Sequence, residues 1–251
     1  MEKAFVELKN EKGIGKITFY HPQHNALPTT LLVRIVECLE QANKDNGIKV
    51  VLLQSAGDRT FCAGANFDEL LSIKDLESGK DFFKGFGNLI STIRKLNKLV
   101  VARVQGKAVG GGVGRAAACD IAFSTKYSSI RLSEISIGIG PFVIGPALER
   151  KIGKAAFSKL SLIPTQWMDA KSAQHVGLFA EVFDDIDKMD EYLESYLKLL
   201  ASYNPDALHS MKKILWKGCE EWDKLLDERA EMSGRLVLSD FTKKALKEFK
   251  K

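Results

Sequence analysis

Val101-Ala102-Arg103-Val104-Gln105-Gly106-Lys107-Ala108-Val109-Gly110-Gly111-Gly112-Val113-Gly114-Arg115-Ala116-Ala117-Ala118-Cys119-Asp120 reads as a β-branched strand, a turn, and a helix whose first turn is nearly all glycine. Glycine costs about 1 kcal/mol per residue in a helix relative to alanine, so a helix that opens on four of them has a compensating reason. One such reason is close approach of a ligand to bare backbone N–H groups, which are unpaired at a helix N-terminus and carry the positive end of its dipole. Tight helix–strand packing is the other, and glycine alone does not separate the two.

The same unit occurs earlier. Val50-Val51-Leu52-Leu53-Gln54 is a short apolar run of buried-strand type. It ends in the small-residue turn Ser55-Ala56-Gly57-Asp58-Arg59-Thr60-Phe61-Cys62-Ala63-Gly64-Ala65-Asn66, ahead of a helical pattern from Phe67 to Ile73. Repetition of strand, turn and helix predicts a layered or spiral α/β core. Before it, Ala4 to Leu8 and Ile14 to Phe19 alternate around Asn10-Glu11-Lys12-Gly13 and predict a hairpin, and Leu31 to Ala42 has helical spacing. Residues 76 to 97 form an amphipathic, phenylalanine-bearing helical pattern, followed by a strand at Leu99 to Val104. Short strands are expected at Ile121 to Phe123 and Ile130 to Leu132. Helices are expected at Val143 to Ile152, Ala155 to Leu162, Ala170 to Val176 and Asp187 to Ala201. From Pro205 the chain reads as helical throughout, with an apolar stripe through Leu208, Met211, Ile214, Leu215 and Leu225 of the kind that packs on a neighbouring subunit. The expected division is a core over 1–200 and a helical oligomerisation region over 201–251.

Composition bounds the function. The chain has 251 residues, 45% hydrophobic and 27% charged, as in an ordinary globular protein with a sizeable core. A net charge of +5 favours an anionic small molecule, but the Lys and Arg residues are spread along the chain, which speaks against nucleic acid. No apolar segment is long enough for export or membrane spanning, so a cytoplasmic location is expected. Cys38, Cys62, Cys119 and Cys219 are scattered, as free thiols are in a reducing compartment. His21, His24, His175 and His209 lack metal-ligand spacing, no metal is expected, and no Gly-x-Ser-x-Gly elbow supports a hydrolase triad. Gly110 and Gly112 with Glu134 about twenty residues on match part of a dinucleotide fingerprint, but Arg115 stands at its third glycine.

Several ordered motifs together point to one family. Asn25-Ala26-Leu27, Phe61-Cys62-Ala63-Gly64-Ala65-Asn66, Gln105-Gly106 through Gly110-Gly111-Gly112, Ala118-Cys119-Asp120, and Glu134 before Gly138 stand in the order and spacing of the crotonase (enoyl-CoA hydratase/isomerase) superfamily, which the chain resembles over nearly its whole length. The resemblance implies a spiral of ββα units with a helical C-terminal trimerisation region, assembled as a homotrimer or dimer of trimers. It implies an acyl-CoA substrate, with coenzyme A present as part of the thioester and no permanently bound cofactor. The N–H groups of Ala65 and Gly111 would form the oxyanion hole for the thioester oxygen.

Hydratases of the family use two glutamates. By alignment the first falls on Gly114, where the carboxylate is missing, and the second falls on Glu134. A lone carboxylate beside an oxyanion hole is the minimum for moving a proton from C2 to C4 of an enoyl-CoA. The family's Δ3,Δ2-enoyl-CoA isomerases look like this, and some share a segment like Gly138-Ile139-Gly140-Pro141-Phe142. Isomerisation is therefore the expected reaction, with hydration, including a methylglutaconyl-type hydration, or decarboxylation as alternatives. Arg115, where an aliphatic residue is common, is expected either to bind a second carboxylate on the substrate or to make an interface or surface salt bridge. The resemblance places Gln23, His24, Ala26, Ala63 and Asn66 near the adenine and pantetheine, with Asn66 where most members have aspartate. Lys250, with Lys247 and Lys251, would meet the phosphates of a neighbour's CoA. Readings of other classes are a catalytically weak homologue that binds acyl-CoA or a partner protein, and a nicotinamide-dependent oxidoreductase.

Overall fold

The alternating residues of β1 (Phe5–Glu11) and β2 (Ile14–Tyr20) form an antiparallel hairpin in the computed structural model, which describes residues 3–249. Helix α1 (Thr29–Lys44) follows and buries Leu31, Leu32, Ile35, Cys38, Leu39 and Ala42, its apolar stripe.

Three passes of one pattern then build the core. In the first, β3 (Val50–Ser55) leads to β4 (Thr60–Cys62) and on to α2 (Phe67–Ser72) and α3 (Leu76–Lys95). In the second, β5 (Val100–Val104) leads to β6 (Lys107–Val109) and α4 (Gly111–Ala118). In the third, β7 (Ile121–Thr125) leads to β8 (Ser129–Arg131), a 3-10 turn at Glu134–Ile137 and α5 (Gly145–Leu162). The chain closes with β9 (Met168–Asp169), α6 (Ala170–His175), β10 (Glu181–Phe183), α7 (Ile186–Ser202), α8 (Pro205–Leu215), α9 (Trp222–Val237) and α10 (Asp240–Phe249).

The first strand of each pass joins a six-stranded sheet of order β1-β2-β3-β5-β7-β10, parallel apart from the β1–β2 hairpin. The second strand of each pass joins a smaller sheet of order β4-β6-β8-β9, in which β4, β6 and β8 run parallel. The result is the expected crotonase-type spiral of ββα units. Strands β4, β6, β9 and β10 were not expected from the sequence, because two or three residues are too few to show alternation. Helix α5 covers the two helices expected between Val143 and Leu162, and Gly153, at φ 74°, is the break between them.

The C-terminal helices have two relations to this core. Helix α9 lies along α3, where Gly79 and Gly234 let the backbones cross; a Cβ on Gly79 would stand 2.9 Å from the Gly234 carbonyl oxygen. Trp222, Leu226, Ala230 and Val237 thereby enter the main hydrophobic cluster. Helix α8 instead turns Met211, Ile214 and Leu215 outward and buries Lys212. Helix α10 lies over the 3-10 turn and α2. Among the described residues no helix is long and apolar enough to cross a membrane. The four cysteines are free and buried.

Candidate active site

Strands β4, β6 and β8 are parallel neighbours, with Cys62 paired to Ala108, Ala108 to Ile130 and Val109 to Arg131. Neighbouring strands lie about 4.8 Å apart, so the segments leaving their C-terminal ends emerge side by side. Those segments are Ala63-Gly64-Ala65, Gly110-Gly111 and Ser133-Glu134. The small sheet thus brings together Ala65, Gly111 and Glu134, the three residues expected to carry catalysis.

The turn after β4 is pinned on one side: Leu27 N–H donates to the Gly64 carbonyl at 2.8 Å and Ala63 N–H to the His24 carbonyl at 3.1 Å. Among the described residues the N–H of Ala65 has no backbone acceptor. Gly111 is the first residue of α4, so the helix cannot satisfy its N–H. The two turns are close, since a Cβ on Gly64 would lie 3.7 Å from Gly111 N. Two donors and a helix start therefore border one spot.

Glu134 lies against the same spot. A Cβ on Gly110 would stand 2.6 Å from Glu134 Oε1, and Gly110 has φ 49° and ψ −117°, so both space and backbone require glycine there. The carboxyl is buried, and Oε2 has no hydrogen-bond partner among the described residues. Burial pushes its pKa up to about 7, against a smaller opposing pull from the backbone N–H groups of Ser133 and Glu134. Around these groups is a cavity of about 80 Å³ walled by Phe83, Phe86, Ile137, Pro141, Val143 and Ile144, with Ser133 and Ser233 also in its lining. A carboxylate with a pKa near neutrality, beside unpaired N–H donors in an apolar cavity, is equipped to take a proton from carbon next to a polarised carbonyl.

Comparison with known proteins bears on what that site serves. The enoyl-CoA hydratase/isomerase family model matches residues 9–250. The chain belongs to that family. It is 32% identical over 192 residues to the 2,3-dehydroadipyl-CoA hydratase of Escherichia coli, spanning 76% of this chain and 73% of that protein. It is 30% identical over 211 residues to the ethylmalonyl-CoA decarboxylase of Mus musculus, spanning 82% of this chain and 65% of that one. In fold it is similar to the crystal structure of an enoyl-CoA hydratase from Bacillus halodurans, with a TM-score of 0.89, 24% identity, and coverage of 97% and 99% of the two chains.

Within a family of enoyl-CoA hydratases and isomerases, the surroundings of Gly114 carry weight. A Cβ on Gly114 would meet Ile144 Cβ and Cγ2, each at 2.4 Å. An aliphatic side chain fills the space where a first carboxylate would begin.

Arg115 corrects the sequence reading. Among the described residues it lines no part of the cavity and makes no salt bridge; it is 1% exposed, with its guanidinium carbon 3.9 Å from the Phe19 ring centroid and 4.8 Å from that of Phe61. The helix turns it into the core, against Phe19 and Phe61.

The described residues expected at the CoA moiety are adjacent in space. Asn66 Nδ2 donates to Gln23 Oε1 at 2.8 Å, and Gln23 Nε2 to Asp68 Oδ2 at 3.2 Å. Asn66 Oδ1 also accepts the Glu69 N–H, capping α2, a role open to asparagine and aspartate alike. His24 sits at φ 53° in the turn that holds Ala63, and Ala26 is buried beside it. Lys250 and Lys251 lie outside the described residues. Sequence reasoning missed Phe86, which packs on Gly111, along with Ile144 and Ser233. Only the phenylalanines of the 76–97 helix gave any signal.

Proposed function

We propose that the chain is a Δ3,Δ2-enoyl-CoA isomerase. The observation that carries this reading is Ile144 packed on Gly114, which leaves Glu134 as the lone carboxylate of the cavity among the described residues. The thioester oxygen accepts from the N–H groups of Ala65 and Gly111. Glu134 takes the C2 proton, and the electron pair of the C2–H bond is delocalised over the thioester and the C3–C4 double bond as a dienolate. The same carboxyl returns the proton at C4, leaving the double bond between C2 and C3. Atoms and charge balance without water. The apolar walls suit an uncharged acyl chain, and Arg115, the residue considered for a second substrate carboxylate, lies elsewhere.

The deciding experiment follows 2-enoyl-CoA absorbance with 3-enoyl-CoA and with 2-enoyl-CoA as substrates, for wild type and Glu134→Gln. Formation of 2-enoyl-CoA that needs Glu134, with little hydration, supports the isomerase. Efficient hydration of 2-enoyl-CoA overturns it, and inactivity on both directs attention to decarboxylation of an α-carboxylated acyl-CoA or to a non-catalytic acyl-CoA binder.

The same reading includes assembly as a homotrimer or dimer of trimers. Its support is the outward apolar face of α8, Met211, Ile214 and Leu215, which a neighbouring subunit would cover. Sedimentation equilibrium tests it, and a monomer at assay concentration would refute it.

A further inference from the structure

Among the described residues Arg115 is the largest fully buried side chain, and its Nε, Nη1 and Nη2 all lack a hydrogen-bond partner there. Burying a guanidinium without an anion is costly, and replacing a buried charge by an aliphatic residue of similar size is often neutral or stabilising. Stability therefore does not account for an arginine here.

Its surroundings do suggest a role. The guanidinium stacks on Phe19 at the end of β2 and on Phe61 in β4, two rings that themselves meet edge to face at 5.8 Å. Burial pushes the Cys62 thiol up, and the positive charge of Arg115 pulls against that shift. Cys62 is wedged between the two halves of the oxyanion site. Its Sγ accepts the Gly64 N–H at 3.3 Å, and its Cβ and carbonyl oxygen each lie 2.7 Å from where a Cβ on Gly112 would be. Arg115 stands one helical turn beyond Gly111. It is thus anchored in the helix that supplies one donor and packed against the strand that supplies the other.

We propose that Arg115 is a positioning residue: stacked on Phe19 and Phe61 beside Cys62, its guanidinium locks the 62–65 turn against the first turn of α4 and fixes the spacing of the Ala65 and Gly111 N–H groups. This rests on the oxyanion role proposed for those two groups. Misplacing a catalytic group by about an ångström costs up to about a hundredfold in rate, so a loosened junction is read in kcat rather than in KM.

The test uses butyryl-CoA carrying 13C at the thioester carbonyl, whose stretching frequency falls when the oxygen accepts strong hydrogen bonds. Infrared difference spectra of the bound thioester, kcat and KM with 3-enoyl-CoA, and Tm are recorded for wild type, Arg115→Leu, Cys62→Ala and the double variant. The expected result is a downshift in wild type that shrinks in Arg115→Leu, with kcat lower by about tenfold, KM unchanged and Tm unchanged or raised. Wild-type spectrum and kcat in Arg115→Leu would overturn the proposal while leaving the oxyanion hole intact. Absence of a downshift in wild type would overturn the hole itself and the proposal with it. If Tm falls together with the downshift, the double-variant cycle decides: non-additive effects of the two substitutions on the carbonyl frequency support action through Cys62, and additive effects overturn it.

Discussion

Ile144 occupies the space of a Gly114 side chain: its Cβ and Cγ2 are both 2.4 Å from the position that a Cβ on Gly114 would take. Ile144 also lines the cavity. The absence of a second carboxylate is thus built into the packing of α4 on the segment before α5. Gly114→Glu alone is expected to overpack this contact and destabilise the fold by about 1–3 kcal/mol or more, without adding hydratase activity. Gly114→Glu combined with Ile144→Gly is expected to regain most of that stability and to raise hydration of 2-enoyl-CoA above wild type. Urea denaturation and the hydration assay check both halves, and full stability of Gly114→Glu would refute the steric account.

Glu134 ties activity and stability to pH in opposite senses. The proposed base works deprotonated, so kcat/KM is expected to fall about tenfold per pH unit below a break near 7 and to level off above it. The folded pKa of about 7 lies above the 4.5 of an ordinary glutamate, so between these values the folded state binds the extra proton. Its contribution to stability is fully present below about pH 4.5 and is lost as pH rises through 7. Glu134→Gln, which carries no charge to bury, is therefore expected to be more stable than wild type at pH 8 by about 3 kcal/mol and equal to it near pH 4. The same variant should lose about two to four orders of magnitude in kcat. A Tm difference independent of pH would contradict the burial of an ionisable carboxyl.

Gly110 joins the carboxyl to the helix start. Gly110→Ala combines a positive φ with a contact 2.6 Å from Glu134 Oε1, so a cost of about 1–3 kcal/mol is expected from the backbone alone. The displaced carboxyl should lower kcat more than it raises KM. Kinetics alongside thermal denaturation separate the two effects, and an Ala variant with wild-type kcat would show that Glu134 is not held there.

What the sequence made legible, and what it hid, follows from how local each signal is. Glu134, Gly111 and Ala65 stand in short motifs, and the small sheet needs only three adjacent strand ends to unite them. The resemblance of those motifs to the enoyl-CoA hydratase/isomerase family nominated them together. The surroundings of Arg115 were not legible, because residues four apart share a helix face but what that face packs on is set by Phe19 and Phe61, which arrive from other strands. Ile144 and Ser233 reach the cavity from segments distant in sequence, and an isolated isoleucine or serine carries no mark of such a role. On α8 the apolar stripe was readable as a face for a neighbouring subunit, but the buried cation behind it was not. Met211, Ile214 and Leu215 face outward, and the residue turned inward is a lysine.

That lysine supports a last prediction. Lys212 Nζ donates to Asp120 Oδ2 at 2.9 Å and to the Lys98 carbonyl at 2.8 Å, with the two paired side chains only 2% and 3% exposed. Trp216 Nε1 and Val100 N–H also donate to the Asp120 carboxylate, at 2.8 and 2.7 Å, so both its oxygens are engaged. Aspartate at the end of α4 is thereby the anchor that joins α8 to the strand feeding the glycine helix. Removing one partner of such a buried pair leaves an uncompensated charge, which typically costs about 3–5 kcal/mol, whereas removing both costs less. Lys212→Met and Asp120→Asn are each expected to destabilise by about that amount, and the double variant by less than the sum of the two. Denaturant unfolding of the four proteins measures the coupling. Additive losses would mean that Trp216 and the backbone donors, rather than the ion pair, hold α8 in place.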